Sequence, residues 1–281
     1  MRGRASGELL GAVGHDGPVG RAAGCVLAFA AAVALVVGGV LWWTNSRPSP
    51  GCVVTEAGTG RQLTFTLEQT DNAATIAAVG IAEGMPNHAV TVAIATAMQE
   101  SRLQNLPGGD RDSAGLFQQR PSQGWGTYAQ VTDPVYAAQA FYSRLHTLPN
   151  WQDVSVTEAA QLVQRSAAPA AYAQWEIQAR AAASALTGEQ QAALRCQDIT
   201  LAVPGQDVAS LAAHELGSAK LSGPQPAGRG WAIASWLVAH SGRLGLDRVG
   251  FDGRTWTADS GTWERTGAAD GLLALHRAPA E

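Results

Sequence analysis

Residues 87–118 read NHAVTVAIATAMQESRLQNLPGGDRDSAGLFQ, and their first half decides the fold. Positions 88–101, HAVTVAIATAMQES, carry apolar or small side chains on nearly every face of a helix. Such a helix belongs at the buried centre of a domain. Glu100 falls in its last turn, where the helix dipole is negative and opposes a carboxylate. Apolar surroundings oppose ionisation too, so both influences favour a protonated acid near neutral pH. A carboxyl group held protonated is what protonation of a glycosidic oxygen requires. The other reading of the same residue is a solvated glutamate on the open side of a helix end.

The neighbouring segments are helical as well. Asp71 is placed to cap a helix through ATIAAVGIAEG that ends at Gly84. Asp133 and Pro134 predict a cap and a first helical position for DPVYAAQAFYSRLHTL. Thr157 opens EAAQLVQRSA, and Pro169 starts AAYAQWEIQARAAASAL, stopped by Gly188. Only LTFTL at 63–67 alternates with the period of a strand. Beyond residue 230, WAIASWLVAHSGRLG reads as a helix, and DRVGF and RTWTA as short strands about an Asp252-Gly253 turn.

The chain has 281 residues with a formal net charge of −4 and only 15% charged residues. No basic stripe is present, which argues against nucleic acid. Residues 25–43, CVLAFAAAVALVVGGVLWW, carry no charge, and as a helix would span roughly 28 Å, about the thickness of a bilayer core. Trp42 and Trp43 suit an interfacial belt, and Arg2, Arg4 and Arg21 place the N-terminus in the cytoplasm. We expect an uncleaved single-pass anchor, with a cleaved signal peptide as the rival. The bulk of the chain would then be extracytoplasmic, where Cys52 and Cys196 read as a disulfide tying together the ends of one domain.

The expected organisation is therefore a tail (1–24), an anchor (25–43), a Pro/Ser linker (44–51), a helical domain (52–196), a second linker (197–230) and a small α+β segment (231–281). The fold class expected is mainly α.

Glu100-Ser101, a Gly-rich turn, and then Gly115-Leu116-Phe117-Gln118 resemble the lysozyme-like soluble lytic transglycosylases, which carry Glu-Ser at a helix end and a Gly-Leu-Met-Gln turn. The apolar helix upstream and the Asp-Pro helix downstream fit the same pattern, over about residues 70–187. GDRDS, GLFQQRPSQGWGT and VQRSA are similar to segments of membrane-anchored actinobacterial members. The resemblance implies peptidoglycan glycan strands as substrate, cleaved at the N-acetylmuramic acid to N-acetylglucosamine β-1,4 bond with no cofactor. It implies Glu100 as acid and base, Ser101 as the adjacent hydroxyl and Gln118 as a contact to an N-acetyl sugar. Gln119, in the same glutamine run, is a further candidate contact. The family's third motif, close to Tyr-Asn-Ala-Gly, is replaced at 164–167 by Gln-Arg-Ser-Ala. Gln164 or Ser166 is placed to supply the missing polar contact, and Tyr172 follows closely enough to reach the cleft.

Trp125, Tyr128, Trp151 and Trp175 could stack on sugars or fill the core, and Trp125, between glycines, is the best candidate for the former. Asp110 and Asp112 could assist a hydrolytic variant or cap turns. His214-Glu215 begins a zinc-protease pattern, but Ser218 stands where its second histidine belongs, so no metal is expected. The sequence specifies no protein partner. A wall-glycan-binding module without turnover and a scaffold of a wall or secretion apparatus are the alternatives to an enzyme.

Overall fold

The computed structural model describes residues 33–39, 49–165, 169–203 and 205–279. The chain divides into two units, residues 1–48 and 49–281. In the first, residues 33–39 are helical. The rest of the expected anchor, the tail and most of the first linker lie outside the described residues. Among the described residues no helix is long and apolar enough to cross a membrane.

The second unit begins with a hairpin of β1 (Gly51–Thr55) and β2 (Gln62–Phe65) and enters α1 (Leu67–Ala82). Thr66 caps α1, accepting from the Gln69 amide while the Gln69 side chain accepts from Thr66 N–H. The expected cap, Asp71, lies inside the helix and has another task, described below. Helix α2 (Asn87–Ser101) is buried from Ala89 through Met98. Burying Val90, Val92 and Ile94 completely contributes about 2 kcal/mol each in transfer free energy. Around α2 pack α1, α3 (Pro134–His146), α4 (Val156–Gln164) and α5 (Glu176–Leu186).

Local sequence sets the ends of these helices. Asp133 accepts from the Val135 and Tyr136 amides with Pro134 at the first helical position, as expected. Helix α4 starts one residue earlier than expected, because Ser155 and Glu158 form a reciprocal capping box. A 3-10 turn, Pro169–Trp175, leads into α5.

Strand β3 (Leu194–Gln197) returns to β1, making an antiparallel sheet in the order β2-β1-β3. Cys52 and Cys196 face each other across it, with Cα atoms 4.0 Å apart, and are joined by a disulfide. The bond therefore staples the entry and exit of the helical body.

The C-terminal part departs from the expected organisation. Residues 197–230 contain α6 (Val208–Leu216) and the two-residue strand β4 (Gly223–Pro224). After α7 (Ala227–Ala239) come β5 (Leu246–Phe251), β6 (Arg254–Thr257), β7 (Trp263–Arg265) and β8 (Leu272–Arg277). They form an antiparallel sheet in the order β4-β8-β5-β6-β7. This part is not a separate piece: α7 packs on α1, α5 and β3, and α6 packs on α1. The Trp256 and Trp263 indoles donate to the Cys196 and Leu194 carbonyls of the disulfide sheet. At Gly188 a Cβ would stand 2.0 Å from the Gly228 oxygen, so only glycine lets α5 end against the start of α7. Helices predominate, and the two small sheets make the unit mixed α and β rather than a helical domain with an appendix.

Asp71 explains part of this union. It reaches His240 Nδ1 and, at 2.8 Å, Arg243 Nε. Glu215 of α6 accepts from His240 Nε2 at 3.1 Å, Arg243 Nη2 at 3.1 Å and Trp236 Nε1 at 2.8 Å. His240 is wholly buried and Glu215 nearly so. Burial opposes the charge on His240, but Asp71 and Glu215 outweigh it and hold the imidazolium pKa above its usual range. Burial likewise opposes the charge on Glu215, yet His240 and the hydrogen bonds pull its pKa to about 2.

Candidate active site

The turn after α2 is held by its backbone. Ala114 and Gln119 exchange amide hydrogen bonds, so residues 115–118 form the tip of a tight hairpin. Leu116 and Phe117 point inward and are buried, and Phe117 stacks on Phe141 at 4.8 Å. Gly115 has φ +78, and a Cβ there would meet the Val131 oxygen at 1.9 Å. Gln118 is left-handed too, with φ 47. This twist turns its amide toward the open side, where its Oε1 accepts from Ser113 and its Nε2 donates to the Gly115 carbonyl.

Three residues expected to touch substrate hold the hairpin in place. The Ser101 hydroxyl is buried and donates to the Leu116 carbonyl at 2.7 Å. Gln119 is buried and donates to the Ala137 carbonyl of α3. Gln164 donates to the Phe117 carbonyl at 2.9 Å, though part of it still lines the open side. These side chains fix the turn against α2, α3 and α4, so Ser101 and Gln119 are positioning residues and not surface contacts.

The open side is a groove of about 420 Å³ lined by Glu100, Asp110, Ser113, Gln118, Arg120, Gln123, Trp125, Gln164 and Arg165. Glu100 is half-buried, and burial pushes its carboxyl pKa above the usual carboxylate range. The fully buried Tyr172 donates its hydroxyl to Glu100 Oε1 at 2.9 Å and partly opposes that rise. Tyr172 thus reaches the acid from behind and is not a wall of the groove. A second recess of about 490 Å³ lies by Asn87, at the other end of α2. It is the larger of the two, but the glutamates that line it are engaged elsewhere, Glu56 with Thr59 and Arg61 and Glu189 with Asn87, so chemistry points to the Glu100 groove.

The aromatic candidates divide. Trp125 lines the groove but is only 9% exposed, with Arg144 stacked 4.9 Å from its ring centre. Trp151 is buried against His88. Trp175 donates to Gln99 beneath Arg102, and Tyr128 is exposed, bonded to the Pro107 carbonyl. Asp112 accepts from Arg120 and from both Ser122 N–H and Oγ, which hold its pKa far below normal and make it a turn brace. Asp110 is 92% exposed on its side chain and lines the groove without touching Glu100. Ser166 lies outside the described residues. Glu215 is committed to the buried network, and no cluster of metal-ligating side chains occurs among the described residues.

Ser113 and Arg165 line the groove although the sequence reading did not single them out. Ser113 is recognisable only once the hairpin brings it beside Gln118. Arg165 had a visible signal: it is a cation inside the altered third motif. Compared with known proteins, the chain matches no family model and no curated protein.

Proposed function

We propose that this chain is an extracytoplasmic, membrane-anchored enzyme that cuts peptidoglycan glycan strands, a lytic transglycosylase or muramidase of the lysozyme-like kind. The observation that carries this reading is the Glu100 carboxyl, whose pKa burial raises, standing in a polar groove with its second face held by Tyr172. The ordered set Glu100-Ser101, Gly115–Gln118 and the Asp-Pro helix supports it.

In the proposed reaction Glu100 gives its proton to the oxygen of the β-1,4 bond as that bond breaks. The acetamido oxygen of the muramic ring stabilises the positive anomeric carbon. Glu100, now a carboxylate, takes the proton of the C6 hydroxyl as that oxygen closes on the anomeric carbon. The acid is regenerated, and the product is a 1,6-anhydro sugar with no water consumed. Attack by water would give a reducing end instead. Gln118 and Ser113 offer amide and hydroxyl contacts to an N-acetyl sugar along the wall.

A binding module without turnover is favoured by one observation: the Gln164 amide, which stands in the altered third motif, is committed to the Phe117 carbonyl. Incubation with purified cell walls separates the two readings. Falling turbidity and soluble muropeptides support the enzyme; retention on insoluble walls with no release supports the module.

A further inference from the structure

Of the two arginines that line the groove, Arg120 is already engaged, its Nε 2.8 Å from Asp112 Oδ1. Arg165 is exposed, and among the described residues nothing pairs with its guanidinium. Its place is nevertheless fixed. It is the residue after α4, left-handed with φ 52, and its N–H closes the helix on the Gln161 carbonyl. A left-handed arginine is unfavourable where glycine or asparagine would be at ease. Gln164, immediately before it, is bonded to the hairpin, so the backbone that carries Arg165 is tied to the groove wall. Asp110 also lines the groove, but the cation nearest it is Arg111, 3.9 Å away, and it is left to solvent.

We propose that Arg165 recognises a carboxylate on the glycan, so that the groove selects strands carrying anionic substituents over neutral N-acetylglucosamine polymers. The inference rests on the glycan reading given above and specifies its substrate. Muramic acid differs from N-acetylglucosamine by an ether-linked lactyl group ending in a carboxyl. That carboxyl is free, or is the attachment point of a peptide stem that bears carboxylates of its own. Arginine presents paired N–H donors that match a carboxylate.

The test uses the full chain in detergent, with Glu100→Gln introduced to prevent turnover, and measures binding by calorimetry. Three probes are compared: stem-bearing glycan oligomers, the same oligomers stripped of stems by an amidase, and N-acetylchitohexaose. Adding Arg165→Ala is expected to weaken binding of the anionic oligomers about fivefold, as for a solvated charge-assisted contact, and to leave chitohexaose unchanged. Arg165→Lys should restore part of the difference. An effect confined to the stripped oligomers assigns the lactyl carboxylate, which the amidase frees; one confined to the stem-bearing oligomers assigns the stem; an effect on both shows that Arg165 accepts either carboxylate. Equal effects on all three probes, or none, overturn the inference. Failure of the glycan reading shows separately, as wild-type protein that neither cuts nor binds any of the three.

Discussion

Replacing His240 by leucine removes the centre of the buried network and leaves both its carboxylates in place. Glu215 is 3% exposed and would keep only Arg243 and Trp236, while Asp71 would keep Arg243 alone. Removing one member of a buried ionic cluster costs about 3–5 kcal/mol, because the stranded charge stays out of water. For a folded unit of this size each kcal/mol moves Tm by roughly 2–4 °C, so a fall of about 10 °C is expected at pH 6. The pH dependence has a definite sign. The folded pKa of His240 is raised, so its contribution is complete below the unfolded value, about 6.5, and is lost as pH rises through the folded one. The difference between wild type and His240→Leu, followed by calorimetric unfolding with the disulfide intact, should therefore shrink from pH 6 toward alkaline pH. A loss under about 1 kcal/mol at pH 6, or a difference that grows with pH, would refute the reasoning.

Two further outcomes follow from the site. Tyr172→Phe deletes the hydrogen bond that favours ionised Glu100, so the alkaline limb of the cleavage profile should move to higher pH; an unchanged or lowered limb would count against Glu100 as the proton donor. Gly115→Ala places a methyl group 1.9 Å from the Val131 oxygen at a left-handed φ, and should cost about 2–4 kcal/mol, seen as a lower urea midpoint.

What the sequence made legible was local. Helix α2 could be read because its apolar character persists round every face, and α3 because Asp133 and Pro134 carry their capping chemistry within four residues. The disulfide was foreseeable from only two cysteines beyond the apolar segment. What escaped was long-range. Strands β1 and β3, five and four residues long, carry no turn signal that links them, and they meet only through a pairing 144 residues apart. Asp71 looked like a helix cap because aspartate favours caps, yet its partners His240 and Arg243 lie about 170 residues on. Gly- and Pro-rich punctuation made 197–230 resemble a linker, although α6 supplies Glu215 to the buried network. Ser101 and Gln119 had the right chemistry for sugar contacts, but carbonyls left open at the hairpin claimed their donors first.

The measurement closest to the centre of this proposal is mass spectrometry of what purified peptidoglycan releases when treated with wild-type protein and with Glu100→Gln. Muropeptides ending in 1,6-anhydro sugars from the wild type, and none from a variant with the same fold and the same retention on walls, are the expected result. Equal release by the variant would show that the proton comes from some other group.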